Sequence, residues 1–302
     1  MPASAVSGPG GGMFRGVVID EMDGSEGGDR SEQRPRSLIV TIYGLYAREV
    51  GGWLSVSSLI RLMAALDVDG PAVRSSISRL KRSGILEAER VDGRAGYTLS
   101  ATGRRILDEG DRRIFGHPRA ALADGWLLAV FSVPETERRR RHALRSRLTW
   151  LGFGTVGPGV WVAPAHLEAE TRDALARDGL TDYVDLFQAT YAGFGQLPEE
   201  VARWWDLAAL GELYAAFRAE FEPRLELWRR RRGRDDDAAA FADYVRALTA
   251  WRRLPYLDPG LPVEVVSARW AGLGAADLFG ALSRRLAAPA HRYVDAVRSA
   301  ED

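Results

Sequence analysis

One stretch of the sequence brings together side chains that bind phosphate and the edges of DNA bases. Residues 67–83 read DVDGPAVRSSISRLKRS, and helical spacing places on one face Arg74, Ser75, Ser78, Arg79 and Arg82. Arginine grips phosphate or forks onto a guanine edge, and serine bonds phosphate or base. This face has no acidic residue, whereas a solvated helix face usually mixes both signs of charge. On this stretch alone, a nucleic-acid-binding helix and an ordinary solvated helix both stay open.

The signals that build a helix surround these side chains. Asp69 is a capping residue, and Pro71 lies near the first turn, where its missing N–H costs nothing. Gly84 follows the last turn, where a glycine commonly ends a helix. Apolar residues recur at helical spacing and predict one buried stripe, formed by Val73, Ile77 and Leu80.

Two further helices and a hairpin flank this element. Upstream, apolar residues at helical spacing predict two helices, the first ended by a pair of glycines and the second capped by Ser55. Downstream, two strand-like runs surround the dipeptide Asp-Gly at 92–93, a strong signal for a hairpin that carries Arg90 and Arg94. Helices joined by a short turn and followed by a hairpin are typical of a winged helix-turn-helix, predicted here for residues 35–113.

Composition limits the classes of partner and of chemistry. The 302 residues have a formal net charge of zero, so any site for a polyanion is a local patch. Residues 35–113 hold 13 basic and 9 acidic side chains, a modest excess of four. The absence of cysteine excludes disulfides, thiolate metal sites and cysteine nucleophiles. No apolar run approaches the roughly 20 residues that span a bilayer, no signal peptide is evident, and a cytoplasmic protein is expected.

The rest of the chain divides into three segments. Residues 1–34 are rich in glycine, serine and acidic residues, which predicts a disordered tail. Residues 124–195 show the order β-α-β-β-α-β, which is ferredoxin-like. Residues 198–302 are predicted to be a helical domain.

Two groups of residues outside the winged helix could bind a ligand. In the first helix of the central segment lie Arg138, Arg139, Arg140 and Arg141. Successive helical residues point in different directions, so packed stems with solvated heads and a phosphate-bearing partner both stay open. The aromatic residues Trp204, Trp205 and Tyr214 fit a core stripe or the lining of a ligand site.

No enzyme motif emerges from the sequence. The four histidines are scattered and lack zinc-site spacing, and neither a Gly-x-Ser-x-Gly elbow nor a phosphate-binding P-loop occurs. We therefore predict no cofactor, no metal and no catalytic residues.

Blocks along the whole chain resemble the PaaX family of bacterial transcriptional repressors. They are PRSLIVTIYGLYAREVGGWLSVSSLIRLM, AVRSSISRLKRSGILEAERVDGRAGYTLSATG, WLLAVFSVPE, LTWLGFGTVGPGVWVAP, RWWDLAALGELYAAF and YLDPGLPVEVVSARWAGLGAADLF. The resemblance implies a winged helix that binds operator DNA, a central domain like the Cas2 nuclease fold, a helical C-terminal domain and a homodimer. It places the recognition helix on the five residues of 74–82 above and the wing on residues 90–97, with Arg90, Arg94 and Tyr97 as contacts.

The resemblance also implies a small-molecule signal. The best-known members of the family repress phenylacetate degradation and are released from DNA by phenylacetyl-coenzyme A. An effector of this kind needs arginines for phosphate and an apolar slot, so the four arginines of 138–141 and the three aromatic residues are its candidate ligands. Cas2 nucleases carry a metal-binding aspartate after the first strand, where this chain has Ser132, which argues against nuclease activity.

The sequence thus predicts an α+β protein with an N-terminal winged helix-turn-helix, a central ferredoxin-like (Cas2-like) domain and a C-terminal helical domain. Its predicted function is sequence-specific repression of transcription, relieved by an aryl- or acyl-CoA thioester. Two alternatives stay open: a metal-dependent nuclease that acts through the central domain, and a DNA-binding regulator without a CoA effector.

Overall fold

Two compact units make up the chain, and each is assembled from separated segments. The computed structural model describes residues 30–116, 119–231, 236–267 and 270–300. The first unit takes the residues up to Asp111, Arg224–Thr249 and the residues from Phe279 onward; the second takes Arg112–Pro223 and Ala250–Leu278. Of the predicted disordered tail, residues 1–29 lie outside the described residues, and residues 30–34 begin the first helix.

Four helices and three strands open the described part of the first unit. They are α1 (Arg30–Ile42), β1 (Trp53–Ser55), α2 (Val56–Ala64), α3 (Gly70–Arg82), β2 (Leu86–Val91), β3 (Arg94–Leu99) and α4 (Ala101–Asp111). α1 contains Pro35, whose missing N–H leaves one carbonyl of the first turns without its helical partner. The predicted apolar face of this helix is confirmed, because its side chains Leu38, Ile39 and Ile42 are at most 2% exposed.

The strands of this unit form an antiparallel sheet in the order β1-β3-β2. The predicted hairpin is confirmed: Asp92 and Gly93 have φ angles of 51° and 77°, the two positive values that its tight turn requires. The predicted cap of α2 is also confirmed, since the Ser55 hydroxyl accepts a hydrogen bond from the Ser58 N–H at 2.9 Å. β1 was not predicted, because three residues are too few for the alternation of a strand to be recognised.

Helices from far along the chain cover α1. The chain continues from α1 through a wide helical turn, Tyr43–Ala47. In that turn the Tyr46 ring lies 5.8 Å from the ring of Phe241 and 4.8 Å from that of His291, measured between centroids. The hydroxyls of Thr41 and Thr249 are hydrogen-bonded at 2.8 Å. The first unit therefore depends on residues from the beginning, middle and end of the described chain.

Four antiparallel strands form the sheet of the second unit, in the order β5-β6-β4-β7. Its elements are β4 (Trp126–Phe131), α5 (Arg138–Trp150), β5 (Gly154–Gly157), β6 (Val160–Pro164), α6 (Glu168–Arg177) and β7 (Val184–Ala189). This β-α-β-β-α-β order is the one predicted. Along β4 the side chains alternate: Leu127 and Ala129 are at most 1% exposed, while Trp126 and Leu128 join an apolar cluster on the other face.

The remaining described elements are helical, as predicted. They are α7 (Leu197–Trp204), α8 (Leu207–Arg230), α9 (Asp237–Trp251), α10 (Leu254–Leu257), α11 (Val263–Val266) and α12 (Ala271–Ser299). Three of them, α8, α9 and α12, contribute residues to both units. Across the described helices, no segment is both long and apolar enough to cross a bilayer.

A buried carboxylate joins distant parts of the second unit. Asp258, whose side chain is 1% exposed, pairs with the guanidinium of Arg119 at 3.0 Å. The Tyr214 hydroxyl donates to the same carboxylate at 2.9 Å, the Trp270 indole N–H at 3.3 Å and the Gly260 N–H at 2.9 Å. Burial and the neighbouring carboxylate raise the pKa of Tyr214, which keeps the phenol protonated as a donor. These bonds fix the loop after α10 against α8.

Candidate nucleic-acid interface

Hydrogen bonds define both ends of α3. At its start, the Asp69 carboxylate accepts from the Ala72 N–H at 2.8 Å, which confirms the predicted cap. At its end, the Gly84 N–H donates to the Lys81 carbonyl at 2.9 Å, and the Ile85 N–H donates to the Leu80 carbonyl at 3.0 Å. Gly84 has a φ of 70°, so this glycine-ended motif avoids the steric conflict that a side chain would meet.

The two faces of α3 differ as the sequence predicts. The apolar stripe is at most 2% exposed and consists of Val73, Ile77 and Leu80. On the opposite side, Arg79 is half-buried, and the exposed residues are Arg74, Ser75, Ser78 and Arg82. The helix has four basic residues, counting Lys81, and no acidic one. The division into a buried and a polar face is confirmed, whereas the binding of DNA by that face stays a prediction.

The hairpin presents Arg90 and Arg94 on opposite faces. Arg90 lies opposite Ala95 in the register of β2 and β3, and Arg94 lies opposite Val91. Because directly paired residues share a face and successive residues alternate, Arg90 falls on the face of Tyr97. The Lys81 ammonium of α3 lies 5.8 Å from the Tyr97 ring centroid, so this is the side of the hairpin towards α3.

Arg94 belongs to a different arrangement, on the outer face of the sheet. Its guanidinium lies 5.8 Å from the ring centroid of Trp53. The indole lies across Gly96, where an added Cβ would come within 2.4 Å of the ring. The Trp53 indole N–H points to the Glu89 carbonyl at 3.4 Å. Sequence reasoning missed this contact, although a glycine within a strand is a signal that another group approaches closely.

A buried tyrosine ties the hairpin to the turn that follows α1. Tyr43 is fully buried, and its hydroxyl donates to the Tyr97 carbonyl at 2.9 Å. Burial raises the pKa of Tyr43, with a smaller contribution from Tyr97, so the phenol stays a hydrogen-bond donor. This hydrogen bond anchors the strand that carries Tyr97 to the turn after α1, which limits the movement of the hairpin.

Two of the four predicted effector arginines share one carboxylate. Glu135 accepts from Arg138 at 2.8 Å and from Arg141 at 2.7 Å, and Arg141 also donates to the Val133 carbonyl at 2.7 Å. The hydrogen bond from Arg141 is the main reason that the pKa of Glu135 is lowered, followed by that from Arg138. Arg139 and Arg140 are exposed.

The predicted effector aromatics lie in the apolar core. Trp205 is 9% exposed, and its indole N–H donates to the Gly152 carbonyl at 2.9 Å. Trp204 and Trp205 lie 6.1 Å apart between ring centroids, and both pack on Trp126. Tyr214 instead bonds to the buried carboxylate described above. The described contacts of the four arginines include none of these three aromatic residues.

The end of the first central strand shows no metal-binding arrangement. The Ser132 N–H donates to the Tyr183 carbonyl at 3.2 Å, which continues the pairing of β4 with β7. Among the residues that the structure describes, no group of three or more histidine, aspartate or glutamate side chains is arranged to hold a metal ion.

Comparisons with known proteins match the chain in three consecutive segments. Residues 34–103 match the model of PaaX-like proteins, residues 119–201 the PaaX protein central Cas2-like domain, and residues 205–296 the PaaX-like protein C-terminal domain. The transcriptional repressor PaaX of Escherichia coli is 27% identical over 261 residues, which cover 85% of this chain and 82% of that repressor. A solved structure of an uncharacterized Mycobacterium tuberculosis protein is similar in fold, with a TM-score of 0.57 and 23% identity over 87% of this chain and 98% of that one.

Proposed function

This chain belongs to the PaaX family, and we propose that it is a repressor of transcription that binds a specific DNA sequence through α3 and the hairpin β2–β3. The observation that carries the proposal is the exposed face of α3, with its arginines and serines and no carboxylate. Arginine and serine on a helix of this kind read base edges in the major groove and fix phosphates beside it.

The proposal assigns a fold and a role to each segment. Residues 35–113 are a winged helix in which α3 is the recognition helix, and the strand order β1-β3-β2 supports this assignment. Residues 124–195 are a ferredoxin-like domain, supported by the strand order β5-β6-β4-β7 with antiparallel neighbours. Residues 198–302 are a helical domain. On the hairpin, Arg90 and Tyr97 face the α3 side and are the stronger DNA contacts, while Arg94 is the weaker.

Substitution of the recognition helix tests the proposal. A duplex selected from a random-sequence pool for binding to the protein supplies the operator. If Arg74 or Arg79 forks onto a guanine, Arg→Ala should cost about 1–3 kcal/mol of binding and relax specificity at one base pair. If they grip phosphate, affinity should fall for every sequence, and the slope of log K against log salt should fall by about one per contact. Arg105→Ala, on α4 and near Glu109, is the matched control and should bind normally.

Unchanged operator affinity in the double variant Arg74→Ala, Arg79→Ala would remove α3 from the interface. A homodimer should select repeated half-sites about 34–36 Å apart, or a multiple of that distance, because two recognition helices reach successive major grooves. A selected duplex with a single half-site, together with a monomer in sedimentation, would contradict the dimer.

An aryl- or acyl-CoA thioester is proposed as the signal that releases the repressor, and the resemblance to the family is its main support. Release requires tighter binding of the ligand to the DNA-incompetent state, by about 1.4 kcal/mol per tenfold loss of operator affinity. The measurement is an operator titration with phenylacetyl-CoA, with free coenzyme A and phenylacetate as controls. Normal DNA binding in the presence of a panel of acyl-CoA thioesters would leave a regulator without this effector.

The same proposal makes the protein a regulator rather than a nuclease. Hydrolysis assisted by Mg²⁺ or Mn²⁺ needs several carboxylates that converge on the cation. The first central strand, β4, contains no carboxylate. The carboxylate of Glu135, which follows it, accepts hydrogen bonds from Arg138 and Arg141. DNA incubated with the protein and either cation should stay intact. Cleavage that disappears in Glu135→Ala would favour the nuclease instead.

A further inference from the structure

The most basic of the described helices is α5, in the second unit. Its thirteen residues, RRRRHALRSRLTW, include six arginines and no acid. Arg138, His142 and Arg145 are exposed and follow each other at i, i+4 and i+7. At 1.5 Å of rise per residue they form a stripe about 10.5 Å long, flanked by Arg139 on one side and Arg141 on the other. The opposite side of the helix is its buried stripe of Leu144 and Leu148.

Only part of this positive charge is balanced within the described chain. Arg147 is buried and pairs with Asp178. Arg138 and Arg141 share the single carboxylate of Glu135. Three arginines of the helix form no ion pair with the residues that the structure describes: Arg139, Arg140 and Arg145.

The excess of positive charge on α5 does not stabilise the helix. Four arginines fill its first turn, where the partial positive charge of the helix N-terminus disfavours cations. Arg141 and Arg145 also place like charges at i, i+4, whereas between Arg138 and Arg141 the carboxylate of Glu135 reduces the repulsion. A bound polyanion would remove both kinds of repulsion, whereas an isolated helix gains nothing from this composition.

We propose that the exposed side of α5 binds the phosphate backbone of DNA, as a contact surface additional to α3. Duplex DNA carries one negative charge per about 1.7 Å of axis, so a stripe of about 10.5 Å spans about six charges. The planar guanidinium of arginine binds phosphate through two hydrogen bonds, and phosphate contacts position a protein on the duplex without reading its sequence. The contact is therefore blind to sequence and adds affinity to operator binding, and in this sense the inference rests on the proposed function.

DNA fits this surface better than the phosphates of a coenzyme A thioester do. A thioester also needs an apolar slot beside its phosphates. Between the arginines, the exposed side of α5 offers only Ala143 and Thr149. Of the aromatic residues predicted for that slot, Trp204 and Trp205 lie in the core cluster of the second unit, and Tyr214 is bonded to Asp258. An extended and open stripe suits an extended polyanion.

The double variant Arg139→Ala, Arg145→Ala tests the surface. Its affinity for a selected 40-base-pair duplex and for a duplex of arbitrary sequence should fall alike, and the slope of log K against log salt should fall by about 1.8. The matched control is Arg203→Ala, Arg229→Ala, which removes the same charge from two exposed arginines paired with Glu200 and Glu226. The control should keep the slope of the unsubstituted protein.

Two further measurements separate a DNA contact from a structural role. The melting temperature of the Arg139→Ala, Arg145→Ala variant should be unchanged or higher, because it loses repulsive charges. Arg139→Lys, Arg145→Lys keeps the charge and should keep the salt slope. An unchanged slope in the alanine variant, an equal change in the control, or a slope lost in the lysine variant would overturn the inference. If the unsubstituted protein selects no duplex at all, the proposed function is refuted, and this result differs from one in which only the contribution of α5 is absent.

Discussion

Replacement of Asp258 by alanine should be among the most destabilising single changes in the second unit. The substitution removes the carboxylate that Arg119 contacts at 3.0 Å. It also leaves three donors without their acceptor: the Tyr214 hydroxyl, the Trp270 indole N–H and the Gly260 N–H. Tyr214 is fully buried and the Arg119 side chain is 14% exposed, so water reaches these groups poorly.

The expected loss of stability follows from the polar groups that stay buried without a partner. Removal of one partner of a buried ion pair costs about 3–5 kcal/mol, because the other charge stays buried without compensation. Asp258→Asn keeps an acceptor oxygen but loses the charge, and it should cost about 1.5–3 kcal/mol. Tyr214→Phe removes one donor while the carboxylate keeps its others, and it should cost about 1 kcal/mol. Since Asp258 and Tyr214 touch, the double variant should show a coupling of at least about 0.5 kcal/mol.

Urea unfolding followed by tryptophan fluorescence measures these differences. The matched control is Tyr183→Phe, because the Tyr183 hydroxyl also donates to a carboxylate, that of Glu137, but at a partly exposed position. This control should unfold like the unsubstituted protein. An Asp258→Ala variant that unfolds at the same urea concentration as the unsubstituted protein would refute the assignment of a structural role to this carboxylate.

Three other substitutions should have smaller effects on stability. Asp69→Ala should lower the free energy of unfolding by about 1 kcal/mol through loss of the α3 cap, and Asp69→Asn, which keeps a capping oxygen, should not. Gly84→Ala should cost about 1 kcal/mol because φ is 70° there, whereas Gly157→Ala, in open space and without a positive φ, should cost little; both are read by urea unfolding. Partial desolvation, together with the positive charge of Arg113, lowers the pKa of His166, which favours the neutral imidazole in the folded chain although the residue is exposed. The stability that this shift contributes should be complete above pH about 6.5 and be lost as the pH falls. The melting temperature of His166→Gln should therefore fall less on acidification than that of the unsubstituted protein, and an equal fall would contradict this.

Local chemistry made much of the first unit predictable. The caps at Ser55 and Asp69, the glycine end at Gly84 and the hairpin turn at 92–93 each depend on residues within about four positions of one another. The polar face of α3 followed from the helical period alone. That Arg90 and Arg94 face opposite sides of the hairpin was not predicted, although the alternation of side chains along a strand would have allowed it.

Contacts between distant residues were beyond such reasoning. Trp53 pairs with Thr98 and covers Gly96, and no local pattern connects these positions. Tyr214 was a candidate ligand residue because aromatic side chains serve both cores and sites; only its bond to Asp258, 44 residues away, shows that it has a structural partner. The extension of α1 to Arg30, five residues before the predicted start of order, likewise has no signal in the sequence, since Pro35 normally favours a first turn.

The discontinuous make-up of the first unit sets an order of events during synthesis. At 5–20 residues per second, Phe279 emerges from a ribosome about 8–34 s after Asp111. The side of α1 that carries Thr41 lacks its partner until Thr249 emerges, and the Tyr46 turn lacks His291 until after Phe279. The nascent N-terminal segment thus stays without its final packing until the last helix arrives. A chain interrupted on the ribosome before α12 would leave the side of the Tyr46 turn that contacts His291 uncovered, and it would be a substrate for chaperones and proteases.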